Sequence, residues 1–153
     1  MKMKKILYMI CAVLLLAGCD GKNGNKKDLA EQLYGDWHRT SISATGDLYV
    51  YTNADIYISF LEDKTFELYQ KMGEGAYRLY RGVWNVEEGL LTGRYNDGED
   101  WTTAYRISIE DHVLTMKSDQ NSSEITETYA SEAIPEEIKN GCEVVVKSVD
   151  AGF

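Results

Sequence analysis

The chain has 153 residues, with 16 Lys and Arg against 25 Asp and Glu, and a formal net charge of −9 at pH 7. This acidic balance argues against a nucleic-acid partner, because phosphate binding needs clustered positive charge. Once the N-terminal segments are set aside, the length fits one single-core domain and not two.

The first residues have the pattern of a secretory signal. Three lysines form a positive head, and residues 6–16 form an apolar run that is too short for a membrane-spanning helix of about 20 residues. The run ends in "LAGC" (16–19), which resembles the lipobox of bacterial lipoproteins. The resemblance implies that residues 1–18 are removed as a signal peptide. It also implies that Cys19 receives a diacylglycerol and that its new amino terminus can be acylated by a further chain such as palmitate.

A lipid on Cys19 would attach the protein to the membrane, which is its expected partner. Each buried methylene contributes about 0.8 kcal/mol, so several acyl chains anchor persistently where one anchors only marginally. Removal of residues 1–18 takes away three lysines and no acid, which leaves 13 basic against 25 acidic residues and a net charge of −12. An anionic membrane repels such a domain, so attachment depends on the lipid. The resemblance places the protein in the cell envelope of a Gram-negative bacterium, on the inner or the outer membrane.

Residues 19–31 are predicted to be a flexible tether. The stretch "DGKNGNKKD" after Cys19 is polar and glycine-bearing, so we expect nothing up to residue 30 to join the core. With Cys11 in the signal peptide and Cys19 lipidated, Cys142 remains alone and no intramolecular disulfide can form in the mature chain. Cys142 precedes a valine-rich run with no basic partner nearby, which favours a small buried hydrophobe over a nucleophile.

Residues 32–153 are predicted to form one all-β domain. Short apolar–polar alternations are separated by turns rich in Gly, Asp and Asn, as hairpins in an up-and-down meander require. The eight predicted strands are 34–42, 55–61, 65–72, 77–86, 90–95, 101–109, 113–118 and 124–130. The longer segment 43–54 is expected to lie across one end of the barrel.

The C-terminal part carries the signals of one short helix. In "IPEEIKN", Pro135 suits a first helical turn, and Gly141 follows where a helix would stop. The run "CEVVVKSV" (142–149) is then expected to add a closing strand or to pack along the barrel.

Period-two alternation assigns an inner face to the predicted strands. The side chains that share the apolar parity are Ile56, Ile58, Phe60, Phe66, Leu68, Gly82, Trp84, Val86, Trp101, Tyr105, Ile107 and Ile109. We expect them to line the interior.

Several stretches together resemble the small lipocalin-like lipoproteins of Gram-negative bacteria. They are "LYGDW", with Gly35 and Trp37 on the first strand, then "YISFLEDKTFELY", "YRGVWNV", "LLTGRY" and "TETYA", and they cover residues 33 to about 135. The resemblance implies an eight-stranded up-and-down antiparallel lipocalin-like (calycin-type) β-barrel with one short C-terminal helix. In that family the glycine permits close strand packing and the tryptophan plugs the closed end.

No catalytic residue, metal site or cofactor is predicted. His38 should point outward from the first strand and His112 should lie in a turn, so both are interpreted as surface histidines. The turn "NDGED" (96–100) offers oxygen ligands but lacks the later bidentate Glu of a calcium loop, which favours a solvated turn. The glycines show no phosphate-binding pattern. We therefore expect a protein that is not an enzyme.

The aromatic content is higher than a filled barrel needs. The rings in question are Trp37, Trp84, Trp101, Tyr57, Tyr69, Tyr80, Tyr95, Tyr105 and Tyr129. An eight-stranded barrel is either packed solid or holds one small ligand, and inward tyrosines offer apolar and polar contacts together. The predicted ligand contacts are Trp37, Phe60, Phe66, Trp84, Tyr95, Trp101, Tyr105 and Tyr129.

Two functions remain open at this point. The first is a monomeric, lipid-anchored protein of the cell envelope that binds a small apolar or amphipathic ligand in its barrel. The alternative is an envelope protein–protein interaction module whose barrel is filled, and whose exposed tyrosines or acidic loops contact another protein.

Overall fold

The computed structural model describes residues 28–45, 53–120 and 123–146. The predicted signal peptide, Cys19, most of the tether and most of segment 43–54 lie outside these residues. The elements in chain order are α1 (Leu29–Leu33), β1 (Gly35–Ala44), β2 (Ala54–Phe60), β3 (Thr65–Met72), β4 (Arg78–Glu87), β5 (Leu90–Tyr95), β6 (Tyr105–Glu110), β7 (Val113–Gln120), β8 (Ser123–Ser131), α2 (Glu136–Gly141) and β9 (Glu143–Val144). Within the described ranges, no helix is long and apolar enough to cross a membrane.

Strands β1 to β8 close into an antiparallel up-and-down barrel. Each strand pairs with its neighbours in sequence, and β8 returns to pair with β1. The predicted fold class and all eight predicted strands are therefore confirmed.

The largest difference from the predicted strands lies before β6. It begins at Tyr105 and not at Trp101, because the chain first pairs back onto β5. The Tyr95 amide donates to the Glu99 carbonyl at 2.8 Å, and the Trp101 amide donates to the Gly93 carbonyl at 2.8 Å. Trp101 thus reaches the interior from a connection and not from a strand.

The interior holds the main hydrophobic cluster, and the predicted inner face belongs to it. Its buried members are Ala30, Leu33, Trp37, Ala54, Ile56, Ile58, Phe60, Phe66, Trp84, Leu91, Ile107, Leu114, Met116 and Tyr129, with Leu68, Val86, Tyr95, Trp101, Tyr105 and Ile109 packed against them. Alternation predicts the faces of the strand residues in this cluster because successive side chains on a strand point to opposite sides.

Helix α1 closes one end of the barrel. The expectation that nothing up to residue 30 joins the core is wrong: Ala30 and Leu33 are buried, because their three-residue spacing puts both on the face turned toward the barrel. The Trp37 indole N–H donates to the Leu33 carbonyl at 2.8 Å, which ties the helix to the first strand. Gly35 has φ +121°, and a Cβ there would meet nothing within 4 Å. A glycine is therefore needed for its backbone conformation and not for close strand packing.

A second apolar cluster lies outside the barrel. Its buried members are Tyr57, Tyr69, Leu79, Ile134 and Ile138, with Tyr77 and Cys142 packed against them. Ile138 comes from α2, so the predicted C-terminal helix covers the outer face of β2, β3 and β4. Tyr57 and Tyr69, two of the aromatic side chains considered for the barrel interior, face this outer cluster instead.

The C-terminal run adds a short parallel strand. β9 pairs with β4 through Arg78 and Leu79, whereas β5 pairs only with the later part of β4, from Gly82 onward. The strand therefore lies beside β4 where β5 has diverged from it. Cys142, just before β9, is half-buried against the outer cluster.

Candidate functional site

The described side chains of the inner face are fully buried at one end of the barrel and only half-buried at the other. Next to α1 its side chains are almost fully buried, as Phe60, Phe66, Leu91 and Leu114 show. Toward the end formed by the β3–β4 and β5–β6 connections, side chains of the same inward parity are only half-buried. They are Leu68, Gln70, Tyr95, Trp101, Tyr105 and Ile125. We name these two parts the closed half and the open half, and the open half is the candidate site.

Aromatic rings form the floor beneath the open half. The Phe60 and Trp84 rings meet edge to face with centroids 5.4 Å apart. The Trp84 indole N–H donates to the Thr65 carbonyl at 2.9 Å, and the Lys64 ammonium lies 4.2 Å from the Trp84 ring centroid. Trp37, Phe60 and Trp84, three of the predicted ligand contacts, thus lie in the closed half.

A second group of predicted contacts forms the wall of the open half. The Trp101 ring lies 5.1 Å from that of Phe66 and 6.0 Å from that of Tyr105, each centroid to centroid. Tyr95 meets Phe66 at 5.7 Å and Tyr80 at 6.1 Å. The wall is therefore a connected set of rings that rises from Phe66 toward the open end.

A buried ion pair, which the sequence analysis missed, lies on the opposite side of the interior. The Arg39 and Glu127 side chains are 5% and 13% exposed, and their charged atoms are 3.8 Å apart. Arg39 also donates to the Ala54 carbonyl, and the Tyr129 hydroxyl donates to Glu127. Alternation could have predicted that both side chains point inward, because Arg39 follows Trp37 by two residues and Glu127 precedes Tyr129 by two.

The phenols of the site stay protonated at neutral pH. Burial raises the pKa of Tyr95 to about 12, with a smaller contribution from Asp97. Burial also raises the pKa of Tyr105 and Tyr129, and the neighbouring Glu127 charge adds to the effect on both. These hydroxyls are consequently hydrogen-bonding groups and not anions.

Two buried side-chain polar atoms among the described residues have no hydrogen-bond partner, Trp101 Nε1 and Ser118 Oγ. Leaving such a group unpaired costs about 1–3 kcal/mol. Ser118 is 3% exposed and follows Lys117, which pairs with Arg106, so the register sets Ser118 beside Tyr105. Both atoms therefore belong to the wall that contains Tyr105.

His38 lies on the outer face of the barrel, and both of its ring nitrogens have carboxylate partners. It points outward as predicted, but its ring is only 26% exposed, with Nε2 2.8 Å from Asp55 Oδ1 and Nδ1 3.0 Å from Glu132 Oε2. One face stacks on Tyr57, with centroids 4.0 Å apart. Burial alone would lower the pKa of His38, but the two carboxylates outweigh it and raise the pKa. Neither ring nitrogen is left to act as a base toward a substrate.

The other groups considered for chemistry have structural partners or lie in turns. His112 is exposed in the β6–β7 turn, and the Cys142 thiol donates to the Lys139 carbonyl at 3.3 Å. In the turn 96–100, the Glu99 amide donates to Asp97 Oδ1 and Arg94 pairs with Asp100 at 2.7 Å. Across the described ranges, no group of three or more His, Cys, Asp or Glu side chains is placed to hold a metal ion.

Three comparisons bear on the chain. The family model described as a lipocalin-like domain matches residues 33–116. A search of the curated proteins finds no match. Among solved structures, fatty-acid-binding protein 1 of Echinococcus granulosus is similar at 15% sequence identity and a TM-score of 0.40, over 67% of this chain and 99% of that chain.

Proposed function

Because the chain belongs to the lipocalin-like domain family, we propose that it binds a small apolar or amphipathic molecule in the open half of its barrel. One observation carries the proposal: inward aromatic side chains stay half-buried above a sealed floor. Ligand sites are mostly apolar with a few placed polar groups, and the half-buried side chains of Gln70 and Tyr105 supply such groups. An eight-stranded barrel is wide enough for one small ligand.

The test is a titration of the full chain, purified without detergent, with the neutral probe N-phenyl-1-naphthylamine, together with native mass spectrometry. We expect saturable binding of one probe molecule per chain. Leu68→Trp fills the open half from β3 and should abolish binding. Val83→Trp is the matched control, because Val83 lies on the outer face of β4 and is 50% exposed.

Two results would overturn the proposal. A folded wild-type protein without saturable binding would favour the alternative, an interaction module with a filled barrel. Probe binding that Leu68→Trp leaves unchanged would place the probe elsewhere on the molecule.

We also propose that the protein is anchored by a lipid on Cys19 in the cell envelope of a Gram-negative bacterium. The support is the lipobox-like "LAGC" after a short apolar run. The wild-type chain should incorporate an acyl label, partition into detergent and have a mature mass that begins at Cys19. Cys19→Ser should lose all three properties and keep the denaturation midpoint. A wild-type chain without label, or cut elsewhere, would contradict the anchoring.

A further inference from the structure

His38 contacts two carboxylates that belong to different parts of the chain. Its Nε2 lies 2.8 Å from Asp55 Oδ1 on β2, and its Nδ1 lies 3.0 Å from Glu132 Oε2 in the connection between β8 and α2. An ionised carboxylate only accepts hydrogen bonds, and a neutral imidazole has a single N–H to donate. Both hydrogen bonds can therefore form together only when His38 is the doubly protonated imidazolium.

Loss of that proton acts mainly on Glu132. Asp55 lies within a strand and also accepts a hydrogen bond from the Tyr77 hydroxyl, whereas the Glu132 side chain is 50% exposed and lies in a connection. A neutral His38 therefore keeps its one N–H for Asp55 and turns a lone pair toward Glu132. The two carboxylates, with Glu137 of α2 nearby, then repel one another without the imidazolium charge between them.

Among the described residues, other charged and titratable groups also face His38 and its two partners. They are Asp36 on β1, Tyr57 on β2, Lys71 on β3, Tyr77 in the β3–β4 connection and Glu137 on α2. Burial raises the pKa of Tyr57 and of Tyr77, so both phenols stay neutral. Burial would raise the pKa of Asp55, but hydrogen bonds from Tyr77 and His38 lower it, so Asp55 stays ionised. The change in charge is therefore assigned to His38.

Glu132 begins the C-terminal part of the described chain, residues 132–146, which contains α2 and β9 and which we name the strap. Its buried apolar side chains, Ile134 and Ile138, pack in the outer cluster, and the Ile134 amide donates to Asp36 Oδ2 at 3.2 Å. Helix α2 has six residues and no side-chain N-cap, so its stability depends on this packing. The strap thus has few attachments that could replace the lost contact of Glu132.

Backbone hydrogen bonds attach the end of the strap to β4. The Glu143 and Val145 amides donate to the carbonyls of Tyr77 and Leu79 at 2.8 and 3.0 Å. β9 spans only two residues, and the Val144 side chain is 65% exposed, so little apolar packing supports these bonds. The two amides therefore report directly on whether the strap is attached.

The strap also forms one wall of a cavity of about 260 Å³ at the side of the barrel, through residues 144–146. The cavity is lined as well by Tyr80 and Tyr95, whose rings have inward parity and lie 6.1 Å apart, centroid to centroid. Tyr95 belongs to the open half. Release of the strap would therefore open the cavity beside the candidate site.

We propose that the strap is attached to the barrel while His38 is protonated and is released, with the barrel intact, when His38 loses its proton. Burial lowers the pKa of His38, but the hydrogen bonds to Asp55 and Glu132 outweigh it and raise the pKa above 6.5. The contribution of His38 to attachment is therefore complete below about pH 6.5 and is lost as the pH rises through the folded-state value. Release of the strap requires no ligand, so its test is independent of the proposed function.

The test is amide hydrogen exchange of the full chain at pH 5.5 and pH 8.5, measured by mass spectrometry. Rates are converted to protection factors, which removes the intrinsic pH dependence of exchange. The peptide that contains Glu143 and Val145 should be about two- to fivefold less protected at pH 8.5 than at pH 5.5, as expected for one half-exposed ion pair. Peptides from β6 and β7 should keep their protection. Equal strap protection at both pH values, or a parallel loss in β6 and β7, would overturn the inference.

Two variants test whether the pH dependence arises from the contact between His38 and Glu132. Glu132→Ala removes the exposed partner, and His38→Gln removes the titrating group. In each variant the strap should have, at both pH values, the lower protection that the wild type has at pH 8.5. Glu136→Ala is the matched control, because Glu136 is an exposed glutamate of the same strap that pairs with Lys139 and not with His38, and it should keep the wild-type pH dependence. A pH dependence that persists in Glu132→Ala would contradict the inference.

Discussion

The Trp101 indole lies against the backbone of Gly93 inside the barrel, so that a Cβ on Gly93 would approach the Trp101 Cε2 atom to 2.3 Å. Gly93 pairs with Trp84 across the β4–β5 ladder and shares its inward parity. The missing side chain of Gly93 therefore makes the space in which the wall of the open half is built.

Gly93→Ala should displace the Trp101 ring. The new Cβ would clash with the rigid indole ring, so the clash is relieved only if the whole ring moves. Overpacking of a core typically costs about 1–3 kcal/mol. Urea denaturation should show the loss of stability, and the tryptophan emission should shift to the red as Trp101 becomes more exposed. Gly141→Ala is the control, since a Cβ there meets nothing within 4 Å. Equal midpoints and unchanged emission in both variants would show that Trp101 does not lie on Gly93.

Trp37→Ala should destabilise the barrel far more than Trp37→Phe. Trp37 is buried at the closed end, and large-to-small aromatic changes in cores cost about 3–5 kcal/mol. Phenylalanine keeps most of the packing and loses the bond to the Leu33 carbonyl, which is worth about 1 kcal/mol. The measurement is the urea midpoint of the two variants. Near-wild-type midpoints for both would mean that Trp37 does not plug the closed end.

Arg39 and Glu127 should be coupled energetically. Removing one partner of a buried pair leaves the other charge uncompensated and costs about 3–5 kcal/mol. Arg39→Met and Glu127→Gln should therefore each be strongly destabilising, and the double variant should be less destabilised than the sum of the two by about 1–3 kcal/mol. A double-mutant cycle on the free energy of unfolding checks this. Additive effects would indicate that the two side chains do not interact.

His38 should make stability depend on pH. Its pKa is raised in the folded state above the ordinary 6.5, because Asp55 and Glu132 outweigh the effect of burial. A raised folded-state pKa contributes stability that is complete below about pH 6.5 and is lost as the pH rises through the folded value. The groups that face His38 are Asp55, Glu132 and Tyr57. The pKa of Asp55 is itself lowered by Tyr77 and His38 against the effect of burial, so Asp55 keeps its charge across this range.

The measurement is the free energy of unfolding at pH 5.5 and pH 8.5. The difference between wild type and His38→Gln should be larger at pH 5.5 than at pH 8.5. His112→Asn is the control, because it removes the chain's other histidine from an exposed turn at φ +63°, which asparagine tolerates. A His38→Gln effect that is the same at both pH values would contradict the assignment.

The sequence alone predicts the strands and their inner face well, because both are local properties. Alternation between residues two apart marks Ile56, Ile58 and Phe60 as one face, and short Gly- and Asp-rich turns leave little choice but to pair consecutive strands. Pro135 and Gly141 predict the short C-terminal helix, and the resemblance to the lipocalin-like family implies the buried position of Trp37. For the site, alternation places Tyr105 in the interior, whereas Trp101, predicted on the same strand, reaches the interior from the β5–β6 connection.

Only the tertiary structure decides which distant groups meet. The Arg39–Glu127 pair depends on the β1–β8 register, which shifts between Arg39 and Ser41. The shift exchanges the inward and outward positions of the β1 residues that follow it. The position of Trp101 depends on the pairing of the chain after β5 with β5 itself. The outer cluster depends on the packing of α2 against the outer face of the barrel. Each of these contacts joins segments far apart in the chain, and alternation within one strand carries no information about the partner across the barrel. The strands thus follow from neighbouring residues, whereas the division into a closed and an open half follows from the packing of α1 and the long-range register.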